Sequence, residues 1–182
     1  EGVTPEIEIQ IRPALARRCE SKGRVQDALE HYDLALQAAS TLGTDAAFPI
    51  LAKRSALSIA ADRLDAAEQD LLACQKLSGG VVQQDLWSLE RRWIEWLAAK
   101  GLVEPAWERL QQHADFEQRN AGGVHPNTQE LFLLVGTVAG RLEAVRRTAD
   151  EGLALGLEAF AEIFEAARVI GYGDEVPVEE LE

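Results

Sequence analysis

The sequence predicts an all-α protein built as an array of about four antiparallel helix pairs, and three observations carry that reading. The first is an internal repeat without gaps. Gly23, Asp62, Gly101 and Gly140 stand 39 residues apart, and Val25, Leu64, Val103 and Leu142 follow two residues on. Ala28, Ala67, Ala106 and Val145 come three residues later, and Tyr32, Leu71, Leu110 and Ala149 four after that. The second is helical periodicity before each turn, clearest at Leu86, Leu89, Trp93, Trp96 and Leu97. The third is composition: 47% hydrophobic and 27% charged residues over 182 positions supply a core and exclude a disordered chain.

Each column has a physical meaning. The Gly/Asp column marks a turn that ends one helix, because Gly takes positive φ without strain and Asp tolerates it better than most. The Val/Leu column opens the apolar stripe of the next helix. The Ala column is small, as close approach of two helix backbones requires. Tyr32 and its counterparts lie one turn further along the same face.

Ahead of each turn the pattern predicts a first helix: residues 10–21, 46–61, 84–100 and 126–139. Leu51, Leu57 and Ala61 give the second a partial stripe, and His125-Pro126-Asn127-Thr128 opens the fourth, where Pro suits a first turn. Residues 10–157 hold the repeats, and a capping helix is expected at 158–170, with Phe160, Ile163, Phe164 and Ala167 on one face. Residues 171–182 form an acidic tail around Pro177 that is expected to fray. At the other end, Ile7, Ile9 and Ile11 alternate with polar residues like a strand. Thr4-Pro5-Glu6 reads as a helix start, yet Pro13 argues against a helix running through it. An irregular segment over residues 1–9 is the expectation.

A net charge of -13 excludes duplex nucleic acid and anionic membrane surfaces as partners, since both demand a basic face. No apolar run approaches the ~20 residues of a membrane span, and no signal peptide is visible. Cys19 and Cys74 are far apart, with no His or Cys at ligand spacing, and read as small core residues in a reducing, cytoplasmic compartment. The chain has no methionine, even at position 1, so its start is expected to be a cut from a larger protein.

No chemistry-bearing constellation stands out. Gly79-Gly80 and Gly122-Gly123 lack the Lys and Ser/Thr of a phosphate loop, and no serine sits in a nucleophile elbow. Arg17-Arg18, Arg91-Arg92 and Arg146-Arg147 read as solvated or ion-paired. His31, His113 and His125 have no metal spacing, although His113 is odd in a column that otherwise holds Ala35 and Cys74. The expectation is a chain that is not an enzyme and has no catalytic residues, metal site or cofactor.

Gly23…Ala28-x3-Tyr32, Gly101…Ala106-x3-Leu110 and Leu15-Ala16-x2-Cys19 resemble the tetratricopeptide repeat family, over about residues 10–157. The family's unit is about 34 residues; here each is five longer, which implies longer helices or loops. Arg12, Leu51, Glu90 and Gln129 replace the early Trp, the closing Pro is absent, and the fourth copy is degenerate at Ala149 and Gly152. The pattern is similar to divergent repeats of bacterial regulators and sensors. The resemblance implies a right-handed superhelix (an α-solenoid) whose first helices line a concave groove that holds a peptide or helix.

Carried across, the groove positions are Arg17, Glu20 and Ser21; Ala52, Ala56, Ile59 and Ala60; Arg91, Glu95 and Ala98; and Glu130, Leu134 and Thr137. The Lys and Asn of chaperone-tail binders are missing from them. Tryptophan is enriched at binding hot spots, so Trp87, Trp96 and Trp107 are candidates for an interface, against core packing. The function expected is a protein-interaction scaffold from a larger regulatory or signalling protein, with a protein or peptide partner. The alternatives are a homo-oligomerisation module and a small-molecule or peptide effector sensor.

Overall fold

The computed structural model describes residues 4–42, 46–80 and 83–154. Apart from short turns these residues are helical, with no strand among them: α1 (Pro5–Glu20), α2 (Val25–Leu42), α3 (Ala47–Ala60), α4 (Leu64–Leu77), a 3-10 turn (Ser78–Gly80), α5 (Gln83–Ala99), α6 (Val103–Ala121), α7 (Pro126–Val138) and α8 (Leu142–Ala154). The capping helix expected at 158–170 and the acidic tail lie outside the described residues. The chain divides into two compact units, Glu1–Lys100 and Gly101–Glu182.

The repeat is written into the backbone. Gly23, Asp62, Gly101 and Gly140 have φ of 69°, 56°, 77° and 66°, and Asp62 is the single non-glycine with positive φ among the described residues. The following residue closes each of three of these turns by donating back across it. Arg24 N–H reaches Cys19 O at 2.9 Å, Arg63 N–H reaches Ser58 O at 2.8 Å, and Arg141 N–H reaches Gly136 O at 2.8 Å. Each bond satisfies a carbonyl that a helix end would otherwise leave open. Ala28, Ala67, Ala106 and Val145 are all 0% exposed.

Within the first unit, successive pairs share their cores. Ala16, Cys19, Ala28, Tyr32, Ala35 and Ala39 from α1 and α2 enclose Ile50 of α3. Phe48, Leu51, Ala67, Leu71 and Cys74 from α3 and α4 enclose Leu89 and Trp96 of α5. Polar clamps cross the same seams. Tyr32 O–H donates to Glu20 Oε1 at 2.7 Å. Arg54 on α3 donates to both oxygens of buried Asp70 on α4, at 2.9 and 2.5 Å, and also to Asp33 on α2.

The second unit has an exchange of volume. Gly136 on α7 lies so close to α8 that an added Cβ would meet Val145 Cγ2 at 2.8 Å and Trp107 at 3.2 Å. Val145 is the one large residue in the Ala column, and the Gly across from it makes room.

The irregular N-terminal segment is corrected. α1 starts at Pro5, with Thr4 at the N-cap, and runs through Pro13 to Glu20. Pro13 has no N–H to give the Ile9 carbonyl. Burial of Ala16 and Cys19 against α2 outweighs that loss, and the Arg12–Glu8 ion pair at 3.0 Å braces the same turn. The alternating isoleucines are therefore helical: Ile9 packs on the core, while Ile7 and Ile11 face solvent.

Candidate functional site

The groove positions fall into two sets. Arg17, Ala52, Ala56, Ile59, Arg91 and Glu95 belong to the first unit, and Glu130 and Leu134 to the second. On α3, Ala52, Ala56 and Ile59 are half-buried at i, i+4 and i+7, an apolar strip lined by small residues. On α1, Arg17 is exposed, and Glu20 is engaged by Tyr32. On α5 the charges are tied locally. Arg91 Nε donates to Glu95 Oε1 at 2.8 Å, and Arg92 Nη1 donates to Glu95 Oε2 at 2.5 Å. On α7, Leu134 is 53% exposed and Val138 67%, one turn apart on the outward side.

The helix that carries those two side chains is tied at its start by a buried node that sequence reasoning missed. Glu117 on α6 is 3% exposed. It accepts from His125 N–H at 2.8 Å and from Thr128 Oγ1 at 3.0 Å, and His113 Nε2 stands 3.2 Å away. The start of α7 is thereby pinned to α6. The odd His113 has its explanation as a partner for Glu117. The i, i+4 spacing of the two was the signal that could have revealed it.

Gln129, in register with Leu51, is 7% exposed, and its Oε1 is buried without a hydrogen-bond partner among the described residues.

The tryptophan interface is corrected at two of its three residues. Trp96 and Trp107 are 6% and 7% exposed and belong to the core. Trp96 donates its Nε1–H to Leu64 O at 2.8 Å, carries Lys100 Nζ 4.4 Å above its ring, and meets Trp93 edge to face at 5.5 Å. Trp107 meets Phe132 edge to face at 5.3 Å. The edge-to-face contact lets Trp93 and Trp96 lie side by side on one helix. Trp87 is half-buried on α5.

A depression of about 460 Å³ lies against α6, α7 and α8, lined by Trp107, Gln111, Asp115, Phe132 and Arg147 among others. It is open to solvent, and neither Glu130 nor Leu134 lines it. Both cysteines are free and buried. Burial, with Asp70 nearby, pushes the Cys74 thiol up to about 12. Among the described residues, no group of three or more His, Cys, Asp or Glu could hold a metal ion, and no helix is long and apolar enough to cross a membrane.

Comparison of the chain with family models, with curated proteins and with solved structures returns no match.

Proposed function

We propose that this chain is a protein-interaction scaffold of the tetratricopeptide-repeat class, part of a larger regulatory or signalling protein, that holds a peptide or helix against its first helices. The observation that carries the reading is on α7. Leu134 and Val138 are exposed large apolar residues one turn apart, on a helix whose own core is made by Leu131, Leu133 and Val135. Folding does not require apolar side chains there, and an apolar pair on a rigidly pinned helix is an anchor for a partner's apolar face. Ala52, Ala56 and Ile59 offer the same chemistry on α3, where small side chains let a partner's backbone come close. The repeated positive-φ turn supports stacking of the pairs as a right-handed solenoid. The two buried free thiols support a reducing, cytoplasmic setting.

Selection of helical peptides from a display library against the whole chain tests this. Binders are expected to lose at least tenfold in affinity on Leu134→Glu or Ile59→Glu, about 1.4 kcal/mol or more; the unfolding midpoint stays put on Leu134→Glu, while Ile59→Glu also lowers it, because Ile59 packs on the core of α3 and α4. Binders indifferent to both changes would place the binding surface elsewhere.

A further inference from the structure

We infer that the outer face of α1 is a docking face for one further helix pair of this same repeat, stacked in register, whose second helix carries a carboxylate in its first turn. Ile7, Ile11 and Leu15 recur every four residues along α1 and are 45%, 48% and 36% exposed. The 39-residue register tells what their counterparts do. Ile11 corresponds to Ile50, Leu89 and Thr128, which are 3%, 5% and 4% exposed. Ile50 closes the core of α1 and α2, Leu89 joins the core of α3 and α4, and Thr128 bonds to Glu117 on α6. Leu15 corresponds to Arg54, which reaches Asp33 on α2, and to Phe132, which meets Trp107 on α6. Each later first helix therefore turns this stripe onto the second helix of the preceding pair. On α1 the same stripe is open.

The rim supplies an independent observation. Arg63 donates to Gln26 at 2.8 Å, and Arg141 donates to Glu104 at 3.0 and 2.8 Å, each reaching 37 residues back to the first turn of the preceding second helix. Their counterpart is Arg24, which is 60% exposed and turns to Asp27 on its own helix. Lys100 reaches Glu68 on α4 at 3.3 Å, and its counterpart Lys22 is exposed. An apolar stripe with a basic rim complements a second helix that is apolar along one face and acidic at its start, which is the chemistry of α6. Terminal faces of a repeat array need polar side chains to stay solvated; here the Glu8–Arg12 ion pair lies beside the stripe, while Ile7, Ile11 and Leu15 remain open. A second copy of the chain is the poorer fit. At the register positions of Gln26 and Leu29, α8 presents exposed Glu143 and Arg146, which would set a guanidinium against the stripe.

One substitution in two settings tests the inference. In the chain as it stands, Ile11→Glu is expected to move the thermal midpoint by less than about 1 °C, because its site is open. In a fused chain, residues 1–45 are joined ahead of Ile7, so that Ile7 takes the place of Ala46 and the period is kept. There the same change in the inner copy is expected to cost about 5 °C or more. An inner Ile11→Glu as silent as the outer one would overturn the inference. So would sedimentation of the unfused chain as a dimer that Ile11→Glu dissolves, because the face would then belong to a second copy.

Discussion

At the scale of single residues, the costs sit where the repeat departs from its own pattern. Gln129 buries an acceptor that its counterpart Leu51 does not have. An amide oxygen left without a partner in the core costs about 1–3 kcal/mol. Gln129→Leu should therefore raise the free energy of unfolding by about 1 kcal/mol in a denaturant titration. Gly136 should behave in the opposite sense. Ala is the better helix former by about 1 kcal/mol, but its Cβ would stand 2.8 Å from Val145. Overpacking of this kind costs about 1–3 kcal/mol, so Gly136→Ala should be net destabilising, and adding Val145→Ala should recover most of the loss. Cys74 provides a pH signature. Its thiol holds its proton up to about 12 in the fold, against the ordinary thiol range in the unfolded chain. The folded state is favoured fully below that ordinary range, and the benefit is lost as pH rises towards about 12. Relative to Cys74→Ala, the wild-type chain should lose thermal stability between pH 9 and pH 11. No relative change would mean the thiol is solvated.

At the scale of elements, the helices are held by polar clamps as much as by apolar seams. Arg54 joins α2, α3 and α4, and Asp70 is 3% exposed. Arg54→Ala would strand a buried carboxylate, a loss of about 3–5 kcal/mol by unfolding titration, whereas Arg54→Leu with Asp70→Leu should be far milder. The element scale also shows what could be read in advance. The first helices of the second, third and fourth copies were legible to within a residue or two, because the positive-φ turn leaves Gly or Asp at a fixed spacing and helix phase follows from it. Of α1 only the part from residue 10 on was legible; its start at Pro5 was not, because Pro13 is a local signal and the packing that overrides it is contributed by α2. The tryptophans misled for a related reason. Periodicity says that Trp96 and Trp107 lie on an apolar face, but not whether the neighbouring helix covers that face. His113 and Glu117 held a readable signal at i, i+4. Their meaning came from Thr128 and the His125 N–H, which only the fold brings to them.

At the scale of the whole molecule, the repeat accounts for the architecture of each unit, and the candidate site consists of what the repeat leaves uncovered. Of the groove positions, Ala52, Ala56, Ile59 and Leu134 keep an accessible apolar character, and Glu95 is neutralised by its neighbours. The measurement closest to the central claim is methyl chemical-shift mapping of Ile, Leu and Val side chains as a selected helical peptide is titrated into the whole chain. Saturable shifts are expected at Leu134 and Val138, with Ile7, Ile11 and Leu15 unmoved. Saturable binding that leaves Leu134 and Val138 unshifted would contradict this reading.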